Sequence, residues 1–240
     1  LTPMLADPVL TVRTEAARIL SRLGLGSFSE KARANFNRSF RELKARYLHN
    51  LDRPEARLSL GILAENQGRL TEAERHYRQA VERESTFVPA RMNLATLLSR
   101  RGRNREAEKL LREVVRLQPD WGQGHYSLGL LLAEDRSRLR QAADLLARAA
   151  RNIPDNPRVH YNLGIALWQL AERDKAAAAI LAAAKLEPSN PEFPQSLAQL
   201  YAQSDRWKEA LPHAVRVAEL MPGNPQAQAF LAQVRAMADE

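Results

Sequence analysis

The chain has 240 residues, 45% of them apolar, which is enough for a continuous core, and it contains no apolar run of the ~18 residues that a membrane-spanning helix needs. It has no cysteine, which excludes disulfides, thiolate metal sites, cysteine nucleophiles and CxxCH haem attachment within these residues. Net charge is +8 and all of it falls in residues 1–121, with 23 Lys+Arg against 15 Asp+Glu, while residues 122–240 balance at 13 against 13.

The first segment, residues 1–24, carries Asp7-Pro8 followed by Val9, Val12, Ala16, Ile19, Leu20 and Leu23. Asp7 is read as a helix cap with Pro8 at the first position, those apolar residues as one face, and Gly24 as the stop. Residues 25–53 hold a longer amphipathic helix, in which Phe36, Phe40, Leu43 and Tyr47 recur at four, three and four. Its expected role is to link the first helix to the remainder of the chain.

From Pro54 the chain repeats. The first helix of each unit carries Leu60-Gly61-Ala64, Leu94-Ala95-Leu98, Leu128-Gly129-Leu132, Leu163-Gly164-Leu167 and Leu197-Ala198-Tyr201. The second carries Ala73-Tyr77-Ala80, Ala107-Leu111-Val114, Ala142-Leu146-Ala149, Ala176-Ile180-Ala183 and Ala210-Ala214-Val217. Small residues let two helices approach, and the large ones fill the seam. The boundary PxNP appears at 154–157, 188–191 and 222–225, a period of thirty-four. Its first Pro stops one helix, its Asn caps the next and its second Pro suits the position just inside. The units are 54–87, 88–121, 122–156, 157–190 and 191–224, the third longer by one residue in its turn, Asp135 to Arg140. A last helix, within 225–240, repeats the register at Leu231 and Ala232 and caps the stack.

These residues resemble the tetratricopeptide repeat family over 54–237. Residues 1–24, with DPxxxVRxxAA, resemble one helix of a HEAT-like repeat. The order of the parts more loosely resembles the C-terminal part of bacterial multihaem cytochrome-type proteins. The usual aromatic of the first repeat helix is replaced here by Arg57, Arg91, His125, His160 and Pro194. The main resemblance implies an all-α, right-handed α-solenoid whose concave wall is built from the first helices.

On the face that the family uses for binding, this chain has Met92, Asn93, Tyr126, Ser127, Leu130, Tyr161, Asn162, Ile165 and Trp168, with Ser59, Ile62, Asn66, Gln195, Ser196 and Gln199 at equivalent positions. The sixth positions read Ser59, Asn93, Ser127, Asn162 and Ser196; short amides and hydroxyls along a groove suit an extended peptide backbone. Met92, Tyr126, Tyr161 and Trp168 are apolar or aromatic where the scaffold needs no filling, so solvent exposure in a peptide groove is expected of the three aromatics. Lateral packing between repeats is the alternative reading. Residues Arg100, Arg101, Arg103, Arg105, Arg136, Arg138 and Arg140 fall at turns inside hairpins and form a basic edge, either a solvated rim or a dock for an anionic partner.

The five histidines lack metal-ligand spacing within any one helix, and no Gly-rich phosphate loop is present. The reading is a non-enzymatic interaction scaffold without metal or cofactor, taking a protein or peptide partner in its groove. The alternative is a spacer domain of a larger, possibly redox, protein. No specific nucleic-acid partner is expected, and a second copy of the chain is left open. Arg outnumbers Lys thirty to six, a bias found in GC-rich bacterial genomes. A bacterial cytoplasmic or periplasmic location is therefore the expectation, as is a processed or excised origin for a chain that starts at Leu1.

Overall fold

The computed structural model describes residues 1–23 and 28–239, and every regular element among them is a helix. Two compact units divide the chain, Leu1–Leu117 and Gln118–Glu240. The first contains a 3-10 turn at Thr2–Ala6, then α1 (Leu10–Leu20), α2 (Glu30–Leu48), α3 (Pro54–Asn66), α4 (Leu70–Arg83), α5 (Val88–Arg100) and α6 (Asn104–Leu117). The second contains α7 (Gly122–Ala133), α8 (Leu139–Asn152), α9 (Pro157–Gln169), α10 (Arg173–Leu186), α11 (Glu192–Ala202), α12 (Trp207–Leu220) and α13 (Pro225–Asp239). Each unit is a stack of helical hairpins, α3/α4 and α5/α6 in one, α7/α8, α9/α10 and α11/α12 in the other, with α13 against α12.

The hairpins close where the sequence places its smallest residues. Ala73, Ala107, Ala142, Ala176 and Ala210 are fully buried, as are Tyr77, Leu146, Ile180 and Ala214 one turn later. A Cβ on Gly164 would lie 2.5 Å from Ile180 Cγ1 and 3.1 Å from the Ala176 carbonyl oxygen. A Cβ on Gly129 would lie 2.9 Å from Leu146 Cγ, and Gly61 faces the ring of Tyr77 in the same way. Leu60, Leu94, Leu128 and Leu197 are buried at the leucine position that precedes these small residues. Leu163, in the same register, is only half-buried, packing with Tyr126 and Leu167 on the seam of Ala143, Leu146 and Ala166.

The PxNP reading holds at Asn156, while at 188–191 the helix starts one residue later, at Glu192, with Pro191 at its N-cap. The Asn156 carboxamide oxygen accepts from Arg158 N at 3.0 Å, Asn190 from Glu192 N at 3.1 Å, and Asn224 from Gln226 N at 2.9 Å. A second polar tie recurs where the aromatic is missing. Arg57 Nε donates to the Leu51 carbonyl at 3.1 Å and Arg91 Nε to Ser85 at 3.1 Å. His125 Nε2 donates to Pro119 at 2.7 Å and His160 Nε2 to Pro154 at 2.7 Å. Each spans six residues back to the turn between hairpins. Pro194 has no side-chain donor, and Arg216 Nη2 from α12 supplies the Pro188 carbonyl instead, at 3.2 Å.

The turns inside the hairpins share one backbone solution. Gly68, Gly102, Ala171 and Asp205 have positive φ, 73°, 72°, 60° and 54°. Each is followed by an N–H that reaches back five residues, as from Arg69 to Ala64 and from Glu172 to Leu167, which satisfies a helix-end carbonyl. The longer third unit uses a 3-10 turn, Arg136–Arg138, whose Asp135 carboxylate accepts from Ser137 N at 2.9 Å.

The N-terminal segment departs from its expected form. Helix α1 begins at Leu10 rather than Pro8, and Asp7 accepts from Val9 N at 2.8 Å to make a turn ahead of it. The buried face is Thr14, Ala16, Ala17 and Leu20, while Val9, Val12 and Leu23 are exposed. Starting the helix two residues later leaves Val9 outside it, and α2 covers the Ala16–Leu20 side with Phe36, Phe40 and Leu43. The stop expected at Gly24 lies outside the described residues.

Left-handed backbone is strained for alanine and free for glycine, so the exposed turn at Ala171 holds removable strain. Ala171→Gly is expected to stabilise the chain by ~0.5–1 kcal/mol in urea unfolding, the penalty relieved less the added chain entropy. A destabilised variant would show that this turn is not held at positive φ.

Candidate functional site

The first helices of the second unit, α7, α9 and α11, carry most of the expected groove residues, and they meet through a polar ladder. Asn162 Nδ2 on α9 donates to the Tyr126 hydroxyl on α7 at 2.8 Å. The Tyr161 hydroxyl on α9 lies 3.1 Å from Ser196 Oγ on α11. The fifth-position tyrosine of one hairpin thus holds the sixth-position residue of the next. Gln123 Nε2 approaches Ser127 Oγ at 3.5 Å within α7.

The expectation of free, solvent-exposed aromatics is not met. Tyr126, Tyr161 and Trp168 are all half-buried. The Tyr161 ring lies 5.2 Å from that of Phe193, and the Arg158 guanidinium sits 5.9 Å from its centroid. Burial, ahead of the opposing Ser196 hydrogen bond, pushes the Tyr161 hydroxyl above its ordinary pKa. Tyr161, Ile165 and Trp168 pack on the core cluster that includes Ile180, Leu197 and Tyr201. The physical reason is that each stacked hairpin covers one edge of the ring before it. Ser196 is itself buried. Leu130 is 37% exposed, and Ser127, Asn162 and Ile165 are half-buried on the same helices.

In the first unit, Met92 and Asn93 are half-buried on α5, with Thr96 exposed one turn on. The Asn93 carboxamide makes no hydrogen bond among the described residues. It occupies the repeat position at which Asn162 is fixed by a tyrosine; the corresponding fifth-position residue, Leu58 on α3, has no hydroxyl.

The basic edge is mostly paired. Glu74 accepts from Arg78, Arg101 and Arg103 at 2.7–2.9 Å, and Glu106 accepts from Arg78 and Arg103. Arg100 pairs with Glu65 at 2.6 Å, and that carboxylate also accepts from the buried Tyr77 hydroxyl at 2.8 Å. In the second unit Arg140 pairs with Glu172, and Arg138 also has a partner. Arg105 and Arg136 are exposed and make no ion pair among the described residues. The side-chain hydrogen bond from Arg103, then that from Arg78, pulls Glu106 down to about 2. The edge is thus a network of shared ion pairs, three arginines on Glu74 and Glu106, rather than a row of bare cations. The sequence signal for it was Glu74 four residues before Arg78 on α4 and Arg103 three residues before Glu106 at the start of α6.

Two comparisons match this architecture. Tetratricopeptide repeat models match residues 52–131, 131–191 and 161–227, and the chain belongs to that family. Among solved structures it is similar to YrrB, a tetratricopeptide protein with an unusual peptide-binding site, at 18% identity and a TM-score of 0.66, covering 77% of this chain and 95% of that one. It is similar to MamA from Desulfovibrio magneticus at 21% identity and a TM-score of 0.65, covering 72% and 97%. A thermophilic tetratricopeptide protein of Thermus thermophilus is 27% identical, with a TM-score of 0.50 and coverages of 76% and 99%. Comparison with curated proteins finds no match. The fold is thus an all-α repeat solenoid, and the protein belongs to the class of protein-interaction scaffolds. Among the described residues no helix is long and apolar enough to cross a membrane.

Glu106 releases its proton more readily folded than unfolded, so the stability it contributes is complete above its ordinary pKa of 4.5 and is lost as pH falls toward about 2. The melting temperature is expected to drop through this window, and Glu106→Gln to flatten the drop. An unchanged slope in that variant would contradict the pairing.

Proposed function

We propose that the first-helix face of α7, α9 and α11 holds an extended peptide segment of a partner protein. The observation that carries the reading is the fixed carboxamide of Asn162. Its one bond to Tyr126 orients it, while Oδ1 and the second N–H have no partner among the described residues and the residue is half-exposed. An oriented amide with one acceptor and one donor to spare matches the N–H and C=O of a passing backbone, whatever its side chains. Leu130, Ile165 and Trp168 flank it with apolar surface, and the half-burial of Trp168 gives a rigid ring whose remaining face can anchor a side chain. Met92 and Asn93 on α5 offer the same pair of chemistries in the first unit. The likeness to YrrB supports the reading at the level of the shared fold.

The test is a random-peptide selection on the whole chain, followed by affinity measurement with the selected peptides. Leu130→Asp and Trp168→Ala are each expected to cost about 2 kcal/mol of binding, roughly thirtyfold. Asn162→Ala should weaken peptides of unrelated sequence alike. Since Trp168 also packs on the core, its variant should lower the melting temperature as well, whereas Leu130→Asp should not. Selected peptides indifferent to all three changes would overturn the proposal.

A further inference from the structure

We propose that a small pocket between α1, α2 and α3 binds a carboxylate carried on a short apolar stem. It is built wholly from the first unit, and none of its residues belongs to the face of α7, α9 and α11. The pocket has a volume of about 70 Å³ and is lined by Arg18 from α1, Arg22 from the turn after it, Tyr47 from α2, and Ser59, Ile62, Leu63 and Asn66 from α3. That volume suits one functional group and a methylene or two, which makes it a subsite for one end of a ligand.

The polar groups that converge here are largely unused by the protein. Arg22 is exposed and makes no ion pair among the described residues. Arg18 gives Nε and Nη2 to Glu15, with Nε at 2.8 Å, and keeps Nη1. The hydroxyls of Tyr47 and Ser59 have no hydrogen-bond partner among the described residues. Asn66 is held in place from behind, where its Nδ2 donates to Ser21 Oγ at 3.0 Å and that hydroxyl donates to the Arg18 carbonyl at 2.7 Å. Two arginines and two hydroxyl-bearing residues lining one small space suit a negatively charged, hydrogen-bond-accepting ligand.

The floor selects among anions. Leu63 is buried and Ile62 half-buried, so the pocket offers apolar contact below its charged rim. A carboxylate on methylenes satisfies both, whereas a hydrated inorganic anion loses water against Ile62 without recompense. Glu15 stays ionised, its pKa held down first by the Arg18 hydrogen bond and also by the charges of Arg18 and Arg22. An incoming carboxylate has the fork of Arg22, which makes no ion pair among the described residues, and Nη1 of Arg18 to engage, in competition with Glu15. Residues 1–50 carry nine Lys+Arg against four Asp+Glu, a field that draws an acidic segment to this end of the chain.

An acidic side chain and a peptide C-terminus present the same chemistry, and two probes tell them apart. The 15N-labelled whole chain would be titrated with N-acetyl-glutamyl-amide, which has only a side-chain carboxylate, and with N-acetyl-leucine, which has only a terminal one. N-acetyl-leucinamide and inorganic phosphate serve as the neutral and bare-anion controls. Saturable shifts at Arg22 Nε–Hε and at the Ser59 and Asn66 amides are expected with a carboxylate probe and not with the amide, and the probe that binds names the source. Arg22→Gln should weaken that probe about tenfold or more, and Tyr47→Phe should weaken it less, with unchanged circular dichroism. Trp168→Ala should leave it unaffected, which separates this site from the peptide face. Absence of shifts, equal binding of the neutral amide, equally strong shifts with phosphate, or indifference to Arg22→Gln would each overturn the proposal.

Discussion

The architecture depends on one contact repeated along the chain, the approach of two helices at a residue with little or no side chain. Gly164 against Ile180, Gly129 against Leu146 and Gly61 against Tyr77 are three instances, and a Cβ at any of them would collide. Close approach lets a single large residue on the second helix fill the seam, and lets alanines such as Ala176 and Ala183 bury completely. With the hairpin closed by its own small residues, the face of the first helix is not consumed by the interior of its own unit. It is left to neighbouring hairpins and to partners.

Competition between those two uses shapes the candidate surface. Tyr126 and Tyr161 each give a hydroxyl to the next hairpin, and Phe193 covers one side of the Tyr161 ring. The side chains that would hold a peptide therefore also hold the stack together. At the proposed site this would couple binding to repeat packing, and the pre-ordered Asn162 would lose little side-chain entropy to a ligand. Charge is handled in the same economical way. The arginines of the turns in the first unit share Glu74 and Glu106, a network whose geometry links α4 to α6. At the pocket of Arg18 and Arg22, Arg22 and the hydroxyls of Tyr47 and Ser59 lack such partners among the described residues, while Arg18 shares Glu15.

Period and residue size were legible in the sequence because they act locally. Asn156, Asn190 and Asn224 each accept an N–H at the start of the following helix, though at 190 the helix begins one residue later than PxNP implies, and the small residues are buried where the register places them. Quantities set by neighbours were not. Leu163 sits in register yet is half-buried, since its surroundings are decided by the alanines of the adjoining seam. The exposure of Trp168 and Tyr161 likewise depends on how far the next hairpin reaches over them. The carbonyl ties of Arg57, Arg91, His125 and His160 looked like the drift of an aromatic position. Their common spacing of six residues from the turn was the overlooked signal, and it holds for two chemically different donors. At α1, the Asp-Pro pair made a turn before the helix because Asp7 bonds Val9 N, an alternative to capping that residue type alone does not resolve.

The most direct test of the central contact is a double-mutant cycle on Gly164→Val and Ile180→Ala, measured by urea unfolding of the whole chain. Gly164→Val alone should cost about 1–3 kcal/mol through overpacking, and Ile180→Ala alone about 2–5 kcal/mol through the cavity it leaves. If the two residues share one space, the valine partly fills that cavity, and the double variant should be less destabilised than the sum by about 0.5–3 kcal/mol. Strict additivity would mean that Gly164 and Ile180 do not meet, and the account of how these hairpins close would be wrong.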